Sequence, residues 1–200
     1  MKTIAIINCG GLALAIRLAS AAVPALGQGT LIIQHSGATD PVTEGFQNLG
    51  HGSGYPVIND MGVNAWVTPG ITNGNPFYEY WLTPQQEAES VGADWILSVN
   101  LRIATTNSGP WFGLAFYAAG IGLDFGSDSN GNQFVGYGYG LGTNYSVTLS
   151  GLNYHDYQLK YDDSADTVSL WIDGAEYANN ILPSGRPAYL TEIEWGAARF

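Results

Sequence analysis

The sequence predicts a single all-β domain built from two antiparallel sheets packed as a sandwich. Composition is the first reason. Glycine stands at 27, tyrosine at 12 and tryptophan at 6, which suits strands joined by many tight turns. Charged residues are only 12% of the chain, against about 25% in an average globular protein, so salt-bridged helical faces are not expected. The second reason is rhythm: Trp95, Leu97, Val99, Leu101 and Ile103 keep a period of two, as a half-buried strand does. The third is punctuation. Turn signals recur at roughly eight to twelve residues through the later chain, a sandwich or barrel spacing. No succession of helices is present to cover a parallel sheet.

Taken in order, Thr30 to Gln34 reads as a short first strand. Asp40-Pro41 and Thr43-Glu44-Gly45-Phe46 form a turn region with an aromatic anchor, and Gly50 to Gly54 is a glycine-rich loop. Pro56 to Asp60 leads to a second element around Asn64-Ala65-Trp66-Val67, after which Pro69-Gly70 and Asn73-Gly74 mark turns. Phe77 to Leu82 is dense in aromatic residues, as packed strands are. One short helix is expected at about 84-91. Thr83 caps it, Pro84 takes its first position, Gln86 completes a capping box and Gly92 ends it. Beyond Trp95 the pattern is β throughout: Trp111 to Tyr117, Ile121 to Phe125, Gln133 to Tyr139, Tyr145 to Leu149, Tyr157 to Tyr161, Val168 to Ile172, Ala175 to Ala178 and Tyr189 to Trp195. Asp173-Gly174 between alternating strands is a strong short-range hairpin signal.

Residues 1-28 differ from the rest and read as a signal peptide. Lys2 supplies the positive start, and an apolar stretch from Ile4 to Ala25 is broken by Asn8 and Arg17. Ala19-Ser20-Ala21 fits the small-x-small pattern of a cleavage site, with cleavage placed between 21 and 28. The competing reading of this stretch is a buried first strand or helix. The expected domain is then 29-200, secreted, periplasmic or on the cell surface. Cys9 is the single cysteine, so that domain has no internal disulfide and no cysteine metal site. No segment has the uninterrupted ~20 apolar residues of a membrane-spanning helix. The net charge is -11. The basic residues after the leader, Arg102, Lys160, Arg186 and Arg199, come one at a time, which argues against a nucleic-acid groove.

A group of segments carries a family resemblance: His35 to Phe46, Gly54 to Gly62, Asn64-Ala65-Trp66, Tyr78 to Pro84, Leu123 to Asp128, Tyr154 to Leu159 and Trp171 to Gly174. Over roughly residues 34 to 196 the chain resembles the concanavalin A-like, laminin G-like jelly-roll domain of exported bacterial proteins, some of which carry a C-terminal sorting tail. The resemblance implies a two-sheet antiparallel jelly-roll sandwich. Such domains close with one more C-terminal strand beside the first. That strand and the sorting tail are not seen here, so the expected sandwich lacks its closing strand. Lectins, glycan hydrolases, adhesion modules and accessory domains share this architecture, so function must come from a site.

Glu192 and Glu194 are the candidate catalytic pair. Two residues apart on a strand, they share a face, and carboxyl groups about 5 Å apart suit a retaining glycosidase. Glucan hydrolases resembling this fold carry a Glu-x-Asp-x-Glu strand, but here the third acid is missing and Gly196 stands in its place. The competing reading is a polar strand face opposite Ile193 and Trp195. For metal, Asp124, Asp128 and Asn130, with Asp162, Asp163 and Asp166 nearby in type, offer the oxygen ligands of calcium. Asp and Asn also populate β-turns for local hydrogen bonding alone. For ligand stacking, Trp66, Trp81, Trp111, Tyr137 and Tyr139 stand out because loops or glycines flank them, against the competing role of core packing. Trp95, Trp171 and Trp195 read as core.

The reading that follows is a non-catalytic extracellular binding module, with a glycan or extracellular polymer as partner and calcium as the candidate cofactor. A glycan-processing hydrolase or its accessory domain is the alternative, and a structural surface or matrix protein is a third.

Overall fold

The computed structural model describes residues 2–5, 13–19, 30–50, 57–66, 77–102, 113–114, 116–118, 121–127, 130, 132–139, 145–151, 153–181 and 191–198. The fold is mostly β, with several antiparallel sheets and one short helix. In chain order the strands are β1 (Lys2–Ala5), β2 (Ala13–Ala19), β3 (Thr30–His35), β4 (Gln47–Asn48), β5 (Val57–Asp60), β6 (Val63–Trp66), β7 (Phe77–Trp81) and β8 (Asp94–Leu101). They continue as β9 (Gly113–Leu114), β10 (Phe116–Ala118), β11 (Ile121–Ser127), β12 (Gln133–Tyr139), β13 (Tyr145–Leu149), β14 (His155–Asp162), β15 (Thr167–Ile172), β16 (Ala175–Ile181) and β17 (Glu192–Ala198).

A seven-stranded sheet runs β1-β2-β8-β14-β15-β16, with β3 paired to β2. An eight-stranded sheet runs β13-β12-β11-β10-β17-β7-β4, with β9 also on β17. β5 and β6 form a separate hairpin. Segments β1 and β2 fall inside the amino-terminal stretch assigned to a leader, and here they are strands, β2 pairing with β3 and β8. Among the described residues no helix is long and apolar enough to cross a membrane.

The alternation read in the sequence is what builds the core. On β8, Trp95, Leu97, Val99 and Leu101 are buried, and on β14 Tyr157, Leu159 and Tyr161 are buried. Their counterparts on the eight-stranded sheet are Tyr78, Leu123, Phe125, Val135, Leu149, Ile193 and Trp195, and all belong to one apolar cluster. Phe125 of β11 meets Tyr157 of β14 edge to face at 4.8 Å between centroids. This contact ties residues of the two large sheets together.

Turn chemistry sets the local geometry. The helix α1 (Pro84–Ser90) has both halves of its capping box, Thr83 and Gln86, which together satisfy two of the otherwise orphaned amides. Asp173 and Gly174 adopt φ of 50° and 81°, the doubly positive pair that a tight hairpin requires. Asp173 is also fastened to β14, accepting from the Asp156 amide at 2.9 Å and bonding His155 at 2.7 Å. Asp60, at the end of β5, binds Arg102 through both carboxylate oxygens, at 2.5 and 2.6 Å, and accepts from the Tyr154 hydroxyl. The β5-β6 hairpin is thereby tied to the two residues, Arg102 and Tyr154, that flank one end of the β8-β14 ladder.

One core expectation is corrected. Trp171 is half-buried and lies on the face opposite Leu170 and Ile172, which are buried. A strand that sends Leu170 inward must send its neighbour outward. There the Lys160 ammonium sits 3.6 Å from the ring centroid, a cation–π contact.

Candidate functional site

The chemically densest place among the described residues is the face of β7 and β17 turned away from the core. β17 sits between β10 and β7 in the interior of its sheet. Ile193 and Trp195 point inward and are fully buried, so Glu192 and Glu194 occupy the other face. On β7 the same logic buries Tyr78 toward the core and leaves Glu79 and Trp81 beside the two acids. The ladder pairs Glu194 with Glu79 and Glu192 with Trp81.

One carboxylate oxygen from each of Glu79, Glu192 and Glu194 lies within 4.8 Å of the others. Glu79 is only 6% exposed, whereas Trp81 is 52% exposed. Burial pushes the Glu194 carboxyl up to about 7, and the charges of Glu192 and Glu79 together with a hydrogen bond to Glu79 push the same way. Like charges brought this close resist simultaneous ionisation. Near neutral pH the group therefore holds or releases one proton readily, and a divalent cation could take that proton's place. Three carboxylates are the hard oxygen donors that such an ion prefers.

The register extends the row across the sheet. Gln47 pairs with Glu79, Tyr117 with Glu194, Gly122 with Tyr117 and Gly138 with Gly122. Glycines inside strands remove side-chain bulk and let another group approach the backbone closely. An acidic trio with an exposed tryptophan thus adjoins a stretch of sheet carrying glycine at two successive ladder positions.

The structure sorts the sequence candidates unevenly. It brings Glu192 and Glu194 together with a third acid, Glu79, which the strand motif alone did not supply. Trp81 lies beside them. Trp66 is 4% exposed and packs edge-on to His35 and Tyr78 in the core, which leaves no face for a ligand. Tyr137 and Tyr139 pair with Leu123 and Ile121 in the β11-β12 ladder. Asp124 is within β11, paired with Gly136, and Asn130 is in an exposed turn. Trp111 and Asp128 lie outside the described residues. Among the described residues, Glu79, Glu192 and Glu194 are a group that could hold a metal ion. The signal for Glu79 was a lone acid within the aromatic run Phe77 to Leu82. Its meaning depended on a partner strand far along the chain.

Compared with protein-family models the chain matches none, and compared with curated proteins it matches none.

Proposed function

We propose that this chain is a non-catalytic extracellular binding module of jelly-roll sandwich architecture, and that it binds glycan through the outward face of β7 and β17. The observation that carries this reading is the pairing of Glu194 with Glu79 beside exposed Trp81. A divalent cation of the calcium type, held by Glu79, Glu192 and Glu194, would offer open coordination positions to sugar hydroxyls. Trp81 supplies an apolar ring for the flat face of a sugar. A glycan array probed with and without calcium tests it. Binding that disappears on chelation and in Glu79→Gln supports the reading, and binding that ignores both sinks the cation's role. Silence on every glycan favours a structural surface protein.

A glycan hydrolase is the second reading, favoured by one observation: Glu194 is pushed up to about 7 beside two further carboxylates. A carboxylic acid kept protonated near neutral pH is the form a general acid needs, and a neighbour within about 5 Å suits a retaining mechanism. Release of reducing ends from soluble glucans, abolished in Glu194→Gln, would establish turnover in place of binding.

A further inference from the structure

A second cluster of titratable groups lies on the inner side of β17. His35, the last residue of β3, is fully buried. Its ring stacks on Trp195 at 5.1 Å between centroids and 24° between planes. It meets Phe46 and Trp66 edge-on at 6.3 and 6.2 Å. Nδ1 lies 2.5 Å from a carboxylate oxygen of Glu44, in the 3-10 turn Pro41–Glu44. The same carboxylate accepts from the Ser36 amide at 3.2 Å and from the Thr39 hydroxyl. One side chain thus gathers the end of β3 and the loop after it. The other ring nitrogen, Nε2, is buried and has no hydrogen-bond partner among the described residues.

We propose that His35 and Glu44 form an acid-released latch: neutral His35 holds the segment from Ser36 to Phe46 closed against β17, and protonation at Nε2 opens it. With Nδ1–H donating to Glu44, Nε2 carries only a lone pair among aromatic rings, a modest cost. A proton there would place an N–H and a positive charge where the described residues offer no acceptor, and burying an unpaired charge is strongly unfavourable. The open state, where water reaches the ring, therefore takes the proton first.

The surrounding charges set the window. Glu44 and Asp40 favour the imidazolium, but burial outweighs them and holds His35 below its ordinary 6.5. β3 carries no other charge. Glu192 and Glu194 of β17 and Glu79 of β7 flank Trp195 and Tyr78 on the far side of their strands. Asp60 of the β5-β6 hairpin is engaged by Arg102, and Arg17 is the charged residue of β2, the strand that pairs with His35 at Leu14. A histidine lowered on folding gives stability that is complete above 6.5 and lost as pH falls below it. Glu44 acts in the same direction. Burial raises it, but bonds from Thr39, His35 and Ser36 outweigh that and hold it below 4.5. Its share is lost at lower pH still.

Hydrogen exchange of the full chain between about pH 7.5 and pH 5, corrected for intrinsic rates, tests the latch. Protection over Ser36 to Phe46 should fall below pH 6.5, by up to about tenfold per pH unit for one coupled proton, while β14 and β15 hold theirs. His35→Asn, whose amide can donate to Glu44 but does not titrate, should remove this dependence. Unchanged protection in the wild type, or an equal fall in His35→Asn, overturns the proposal. If His35→Asn does not fold, the imidazole resonances of the wild-type chain decide. A titration midpoint below 6.5 that tracks the loss of protection supports the latch, and a midpoint at or above 6.5 refutes it.

Discussion

Glu79 and Glu194 face each other directly across the β7-β17 ladder, one almost wholly covered and the other half-buried. Their proximity makes the face sensitive to protons. Glu194 is raised from 4.5 to about 7 on folding. Its folded form therefore binds more protons than the unfolded chain between those values, and its contribution to stability is lost as pH rises toward 7. Glu194→Gln should make the metal-free protein less sensitive to alkalinisation from pH 5 to 8, read by denaturant midpoints. If the proposed calcium site forms, its affinity should climb by up to about tenfold per pH unit below 7 as the competing proton leaves, which titration calorimetry would measure.

Removing the Asp60 carboxylate separates the β5-β6 hairpin from Arg102 and Tyr154. Asp60→Ala takes away an acceptor shared by a partly covered guanidinium and a hydroxyl, at a cost of about 1–3 kcal/mol. Arg102 bonding holds the Asp60 carboxyl below its ordinary 3.8, so the native tie persists until pH falls past that range. Equal chemical stability of variant and wild type would show that the tie contributes nothing.

Trp195 touches His35, Phe46 and Tyr78 and is fully buried. Trp195→Ala should cost about 3–5 kcal/mol, the range for truncating a large core aromatic. Trp81→Ala, on an exposed ring, should stay within about 0.5 kcal/mol of wild type. Parallel urea titrations of the two variants check the contrast, and it also separates an exposed tryptophan from a structural one.

Met61 turns the β5-β6 hairpin at φ 52° with its side chain 65% exposed. A non-glycine residue pays for the left-handed region, about 1 kcal/mol, and asparagine tolerates it better. Met61→Asn, which creates the favoured Asn-Gly turn with Gly62, should raise stability by several tenths to about 1 kcal/mol. A lower thermal midpoint would mean that the methionine makes a contact that outweighs the strain.

The parts of this molecule legible in the sequence are those encoded within a few residues. Thr83, Pro84 and Gln86 specify the start of α1 by themselves, and Asp173-Gly174 specifies its hairpin. Trp95 to Leu101 announces its inward face because side-chain direction alternates by covalent geometry. Trp171 was legible by the same rule, but tryptophan's size drew it toward the core when Leu170 and Ile172 had already claimed the inward positions. Glu79 was not legible as part of an acidic group. Nothing near it specifies that β7 will lie beside β17, or that the register will bring Glu194 opposite. That pairing is a property of the assembled sheet, as is the enclosure of His35 between Trp66, Phe46 and Trp195.

The interior place of β17 also orders events in time. β4 through β16 leave the ribosome before it does, yet among the described strands β7 and β10 are joined through it alone. While a chain is still being made or threaded across a membrane, those two strands have bare edges, and the eight-stranded sheet cannot close. The segment that completes the sheet also delivers two of the three glutamates, so the acidic face comes into being only when folding finishes. Unfinished copies would carry neither it nor any affinity that depends on it.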